Sequence, residues 1–189
     1  MTAPGNPFQL PVERRAAVLE VRTSGRRLVG HAAVFDTPTT IGNFRERVAP
    51  GAFRATLARG QDVLALVDHD PGRLLGRTGN RTLRLAEDAR GLAFELDLPE
   101  TSLGADILAL ASRGDLGGMS FGFKVAPGGE RWQGAERTLI GVELREISII
   151  QAMPAYEGTE ISVRTSAGLA ERERRQRALK LAEASAWRA

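Results

Sequence analysis

Apolar and polar residues alternate along most of this chain with the period of strands rather than helices. The clearest case is residues 92–98, where Leu92, Phe94, Leu96 and Leu98 alternate with Ala93, Glu95 and Asp97, the signature of a half-buried strand. With Arg81–Ala86 this stretch predicts a hairpin. Ala17–Thr23 and Arg27–Phe35, separated by Ser24-Gly25, predict another. Asp62–His69, rich in Val and Leu, predicts a buried strand broken by Asp70-Pro71-Gly72. Met119–Val125 and Val142–Ile150 predict two more, joined through Pro127-Gly128-Gly129 and a short segment near Arg131-Trp132. Ile161–Arg164 adds a last short strand.

Helical signals are fewer. Pro50-Gly51 opens a short segment over Ala52–Ala58 that ends near Gly60. Thr101 or Ser102 caps a longer helix that runs to Arg113, with Leu103, Ile107, Leu108 and Leu110 apolar, and Gly114 stops it. Residues 1–13 hold three prolines and little apolar pattern, so they read as a flexible leader. The tail at 167–189 is charged and Ala-rich and reads as an exposed helix. The domain is therefore expected over 14–166. Its expected fold is mainly β with surrounding helices (α+β), a curled sheet or barrel with the helices outside.

Composition narrows the chemistry. A chain of 189 residues fits one domain with a substantial core. It has no cysteine, which removes disulfides, thiolate metal sites and a cysteine nucleophile together. The pI of about 10.1 looks extreme, but the net charge is only +3. The charged run at 171–177 mixes four Arg with two Glu. That is a solvated face rather than a nucleic-acid-binding patch, so no nucleic acid is expected as partner. No apolar run approaches the roughly 20 residues of a membrane span, and the N-terminus lacks a signal pattern. No membrane is expected as partner either, and the reading is cytoplasmic.

The most suggestive string is Gly117-Gly118-Met119-Ser120-Phe121-Gly122-Phe123. In a strand, Met119, Phe121, Phe123 and Val125 share one face, and Ser120, Gly122 and Lys124 the other. Ser120 then points away from the apolar face, between two glycines that leave room for close approach. Gly118–Gly122 also fits the G-x-S-x-G nucleophile elbow. That pattern belongs to enzymes whose histidine follows the serine, and this chain has none after His69. A serine on a glycine-rich strand is the plain alternative.

A hydroxyl needs a base to become a nucleophile. The chain has two histidines. His31 sits in mid-strand, where packing or surface exposure is its ordinary fate. His69 ends an apolar strand at a loop, a common place for a reacting group. Asp68-His69-Asp70 does not form a metal site in a strand, because the aspartates face away from the histidine. No metal and no cofactor are expected.

Six stretches now resemble, in order, the caudovirus prohead serine proteases. They are Gly30–Phe35; Phe44-Arg-Glu-Arg-Val-Ala-Pro-Gly-Ala-Phe53; Val67-Asp-His-Asp70 with Leu75-Gly-Arg77; Gly117–Phe123; Leu144-Arg-Glu-Ile-Ser-Ile-Ile150; and Pro154-Ala-Tyr156 with Thr159. The resemblance covers about residues 16–165. It implies Ser120 as nucleophile, His69 as base and Glu146 as the orienting acid. It implies a curled antiparallel β-barrel similar to the herpesvirus maturation proteases, which use a second histidine where this chain has Glu146. It further implies an endopeptidase that works inside the assembling prohead in the host cytoplasm. The implied partner and substrate is the major capsid protein with its N-terminal scaffolding segment, together with the protease itself and possible self-association.

A strand over Val142–Ile150 is expected to put Val142, Leu144 and Glu146 on one face and Glu143 and Arg145 on the other. Glu143 then reads as a surface carboxylate and Glu146 as a buried one needing a partner. An arginine is the plain alternative partner for Glu146, and Asp68 or Asp70 is next in line as the acid. Competing readings of the whole chain are a catalytically silent internal scaffold with a protease fold and a small-ester hydrolase.

Overall fold

The computed structural model describes residues 12–17 and 21–152. The tail, the strand expected at Ile161–Arg164 and all of the leader but Val12 and Glu13 lie outside those residues. Within them the chain runs β1 (Glu13–Ala17), β2 (Val21–Ser24), β3 (Arg27–Val34), β4 (Thr39–Ile41), β5 (Phe44–Val48), α1 (Arg54–Ala58), β6 (Leu64–Val67), β7 (Asp70–Arg77), β8 (Leu83–Glu87) and β9 (Gly91–Asp97). Then follow α2 (Ser102–Arg113), β10 (Gly118–Val125), β11 (Glu130–Gln133), β12 (Glu136–Leu139) and β13 (Val142–Ile150). The protein is mostly β, with few helices, as the alternation predicts.

The strands form three sheets, ordered β1-β10-β13-β6-β7, β2-β3-β9-β8 and β11-β12-β5-β4. No closed barrel is present among the described residues, and pairing is not antiparallel throughout. β13 runs parallel to β6, and β12 parallel to β5. Parallel neighbours need long crossover connections, so local alternation carries no trace of which distant strand lies alongside.

Where the pattern was regular, the elements fall where expected. Leu92, Phe94 and Leu96 are buried along β9, and Leu98 just beyond it. Helix α2 starts with the Gly104 amide donating to the Thr101 hydroxyl at 3.2 Å and ends at Gly114 with φ 77°, the left-handed cap that glycine adopts without penalty. Of the strand expected over Ala17–Thr23, Ala17 ends β1 and residues 21–23 belong to β2. β1 pairs with β10, while β2 forms the hairpin with β3. The break expected at Asp70-Pro71-Gly72 is the start of β7. β7 lies at the edge of its sheet, where proline is tolerated because no ladder donor is missed on the outer side. The hairpin of β4 and β5 was not foreseen.

One core joins the sheets. Met119, Phe121 and Phe123 project from β10 against Ile147 and Ile149 of β13 and Phe53 before α1. The rings of Phe53 and Phe121 meet edge to face with centroids 5.5 Å apart. This packing fixes β10 and β13 side by side and leaves their other faces for polar residues.

Candidate functional site

Register decides which side chains meet. In the first sheet Ser120 of β10 stands opposite Ser148 of β13, and Gly122 opposite Glu146. On the other side of β10, Ala16 of β1 faces Ser120 and Arg14 faces Gly122. Cross-strand partners point to the same side of a sheet. Ser120, Ser148, Glu146, Ala16 and Arg14 therefore share the face opposite Met119 and Phe121.

Glu146 reaches that face through a β-bulge. Leu144 pairs with Phe123 and Glu146 with Gly122, so Arg145 is an extra residue without an opposite number. The bulge reverses the alternation. Val142 and Leu144 point to the core with Ile147 and Ile149, while Glu146 and Ser148 point to the polar face. The expectation that Glu146 shares a face with Val142 and Leu144 is thus corrected. The signal was in the sequence, because the apolar spacing slips by one residue between Leu144 and Ile147.

Gly122 also has a different reason from the one expected. A Cβ there would overlap the Glu146 carboxylate, so the glycine makes room for Glu146 rather than for an approaching backbone. Substitution of Gly122 would push the carboxylate out of place.

His69 is delivered by a tight turn. Val67 pairs with Asp70, leaving Asp68 and His69 as the two-residue loop between β6 and β7. Both have positive φ, 51° and 62°. Two-residue hairpin loops with positive φ at both positions are usually built from Asn and Gly. A histidine held in this conformation carries backbone strain that the surroundings must offset. They do so through Asp68. Its carboxylate accepts from the Gln151 amide at 3.0 Å and from Arg73 at 2.9 Å, and its own amide donates to the Ile149 carbonyl at 2.9 Å. The turn is thereby tied to the end of β13, the strand that carries Glu146 and Ser148.

The ring then turns back onto the sheet. Nδ1 of His69 lies 2.6 Å from Oε1 of Glu146, across 77 residues of sequence. Ser148 donates its hydroxyl to the other carboxylate oxygen, Oε2. Arg14 stands at 3.6 Å from Oε1. Burial pushes the Glu146 carboxyl up, but hydrogen bonds from His69 and Ser148 and the nearby positive charge outweigh it and hold it below the ordinary 4.5. An ionised Glu146 can only accept, so Nδ1 of His69 is the donor in this bond and Nε2 is the ring nitrogen left over.

Two buried polar atoms here have no hydrogen-bond partner, Nε2 of His69 and Oγ of Ser120. Ser120 is completely buried. Leaving such an atom unpaired costs on the order of 1–3 kcal/mol, so each calls for a specific explanation, of which a part in chemistry is one. One atom is an imidazole nitrogen and the other a hydroxyl oxygen.

The remaining candidates fall outside this cluster. His31 is bonded through Nε2 to Asp88 at 2.8 Å in the second sheet. Glu143 is held by Arg145 at 2.9 Å on the wetter side of β13. Asp70 caps its own turn by accepting from the Gly72 amide. Sequence reasoning missed Ser148 and the role of Asp68 in anchoring the turn. Both lie in short stretches that carry the resemblance, but their roles follow from which strands neighbour β13.

Comparison with curated proteins and with solved structures finds no match. A family model described as caudovirus prohead serine protease matches residues 14–173, a span that takes in Ser120, His69, Glu146 and Ser148. With most of its length inside that match, and the paired strands that carry these residues with it, the chain belongs to the caudovirus prohead serine proteases, a family of bacteriophage proteases that act in capsid assembly.

Proposed function

We propose that this chain is an active serine endopeptidase with Ser120 as nucleophile, His69 as base and Glu146 as the acid that orients the imidazole. The observation that carries the reading is the division of labour at His69. Nδ1 is committed to Glu146, while Nε2 and the Ser120 hydroxyl are both buried without partners. Nε2 takes the Ser120 proton as Oγ attacks a peptide carbonyl, and the tetrahedral intermediate collapses when the imidazolium protonates the leaving amine. Water then repeats the sequence on the acyl-enzyme with His69 again as base. Glu146 stays ionised throughout and stabilises the imidazolium.

The substrate in this reading is the N-terminal scaffolding segment of the major capsid protein, and the protease also processes itself. The work is done inside the prohead in the host cytoplasm. Among the described residues no helix is long and apolar enough to cross a membrane. A fold similar to the herpesvirus maturation proteases, with sheets that curl without closing, is part of the same proposal.

Co-expression with the capsid protein, followed by N-terminal sequencing of the shell protein, tests the proposal. The wild-type chain shortens it and Ser120→Ala leaves it full length, while the variant stays folded because Oγ makes no bond. Normal trimming by Ser120→Ala refutes it. The complete burial of Ser120 favours a second reading, an internal scaffold that keeps the fold without the chemistry. That reading predicts full-length capsid protein with the wild type as well.

A further inference from the structure

Both edges of the strand that carries Ser120 are occupied. β13 lies along one and β1 along the other, with Ala16 opposite Ser120. Ser120 has no exposed surface. An extended peptide therefore cannot pair with β10 while β1 is in place, and in this state the hydroxyl is closed to solvent.

β1 is not held as a core strand is. Its sequence, Glu-Arg-Arg-Ala-Ala, contains no large apolar side chain, so hydrocarbon burial contributes little to its attachment. It is the outermost strand of its sheet. Beyond the ladder, charges fasten it. Glu13 accepts from Arg137 at 2.7 and 2.9 Å, and Arg15 donates to Glu46 at 2.5 and 2.9 Å. The Arg15 guanidinium also lies over the Phe123 ring at 5.5 Å. Edge strands with few apolar contacts are the parts of a fold that open at low free energy.

We propose that β1 is a detachable strap. It fills the edge of β10 at which an extended segment of substrate pairs as an antiparallel strand, and its release admits that segment to Ser120. Main-chain hydrogen bonds to a sheet edge are a general means of gripping an extended peptide. The protein as folded is then latent, and opening of β1 sets the rate at which Ser120 becomes available. This rests on the reading of Ser120 as nucleophile.

The test measures access to Ser120 in the full chain with a small fluorophosphonate, which needs no capsid protein. The double variant E13Q/R15Q loosens the charge clamp, and A16P/A17P removes one ladder amide outside the clamp, since successive amides of an edge strand point to opposite sides, so the test survives if one variant fails to fold. Hydrogen exchange of residues 13–17 reports the loosening. Each lost charge-assisted hydrogen bond raises local opening about tenfold or more, so Ser120 labelling accelerates by at least about tenfold in both variants. Labelling at the wild-type rate despite faster exchange at 13–17 overturns the strap and leaves the nucleophile intact. No labelling of Ser120 in any form overturns both.

Discussion

The two faces of β1 border two buried polar clusters that differ in one respect. On one face Glu13 and Arg15 join Glu46, Arg137 and Glu130 in a network of three acids and two arginines, in which each group has a partner. Arg137 bonds all three acids and lies over the Trp132 ring at 5.7 Å. On the other face Glu146 is as well bonded, but His69 and Ser120 each keep one atom free. A fully satisfied polar network rigidifies a fold, whereas the two unpaired atoms of the second cluster are those that the proposed chemistry uses. The first cluster should thus fail in stability when broken, and the second in turnover.

The largest expected effects are in the second cluster. His69→Ala lowers cleavage by about 10⁶-fold and Glu146→Gln by about 10⁴-fold, because glutamine offers one accepting oxygen for two donors, and with that oxygen on Ser148 its NH2 faces Nδ1 and selects the wrong tautomer. His31→Ala leaves cleavage unchanged. Full-length capsid protein with His31→Ala would invert the assignment of the two histidines.

In the first cluster, Arg137→Ala removes the side chain that bonds all three acids and leaves Arg15 alone to neutralise Glu13 and Glu46, and it costs about 1–3 kcal/mol in a denaturant titration. Turnover per folded molecule does not fall. A variant that unfolds at the wild-type midpoint would remove the distinction between the clusters.

A smaller effect comes with acid. The Glu146 carboxyl is held low in the folded state, despite burial pushing it up, and Glu13 is held low chiefly by Arg137. The unfolded chain then binds more protons, so stability rises with pH in this window. Each contribution is fully present above the ordinary value of 4.5 and is lost as pH falls through the folded value. Glu146→Gln flattens the dependence of the unfolding midpoint below pH 4.5, and an unchanged slope would show that the carboxylate is not selectively held. The smallest effect is that of Glu143→Gln. This group already sits beside Arg145 at the surface, and stability stays within about 0.5 kcal/mol with cleavage intact.

The sequence singled out the residues of the candidate site more readily than the strand neighbours around them. Ser120, His69 and Glu146 were named from a glycine-flanked strand, a strand end and a family resemblance, and the first sheet gathers His69, Glu146 and the Ser120 strand together. Helix α2 and strand β9 were legible because capping and alternation are local. The pairing of β13 with β6 was not, since neighbours in a parallel ladder are set by the whole topology. The turn at Asp68-His69 was hidden because its second position lacks the glycine that usually marks such a loop, and Pro71-Gly72 offered a louder false signal two residues later. The network around Arg137 unites residues from 13 to 137 and leaves no motif at all.

The most direct test of the central claim is a covalent one. The purified full-length chain is treated to completion with a fluorophosphonate and digested, and the adduct is located by mass. The account predicts one adduct, on Ser120, that vanishes in His69→Ala. An adduct on any other hydroxyl, or none from a preparation that still trims capsid protein, would contradict it.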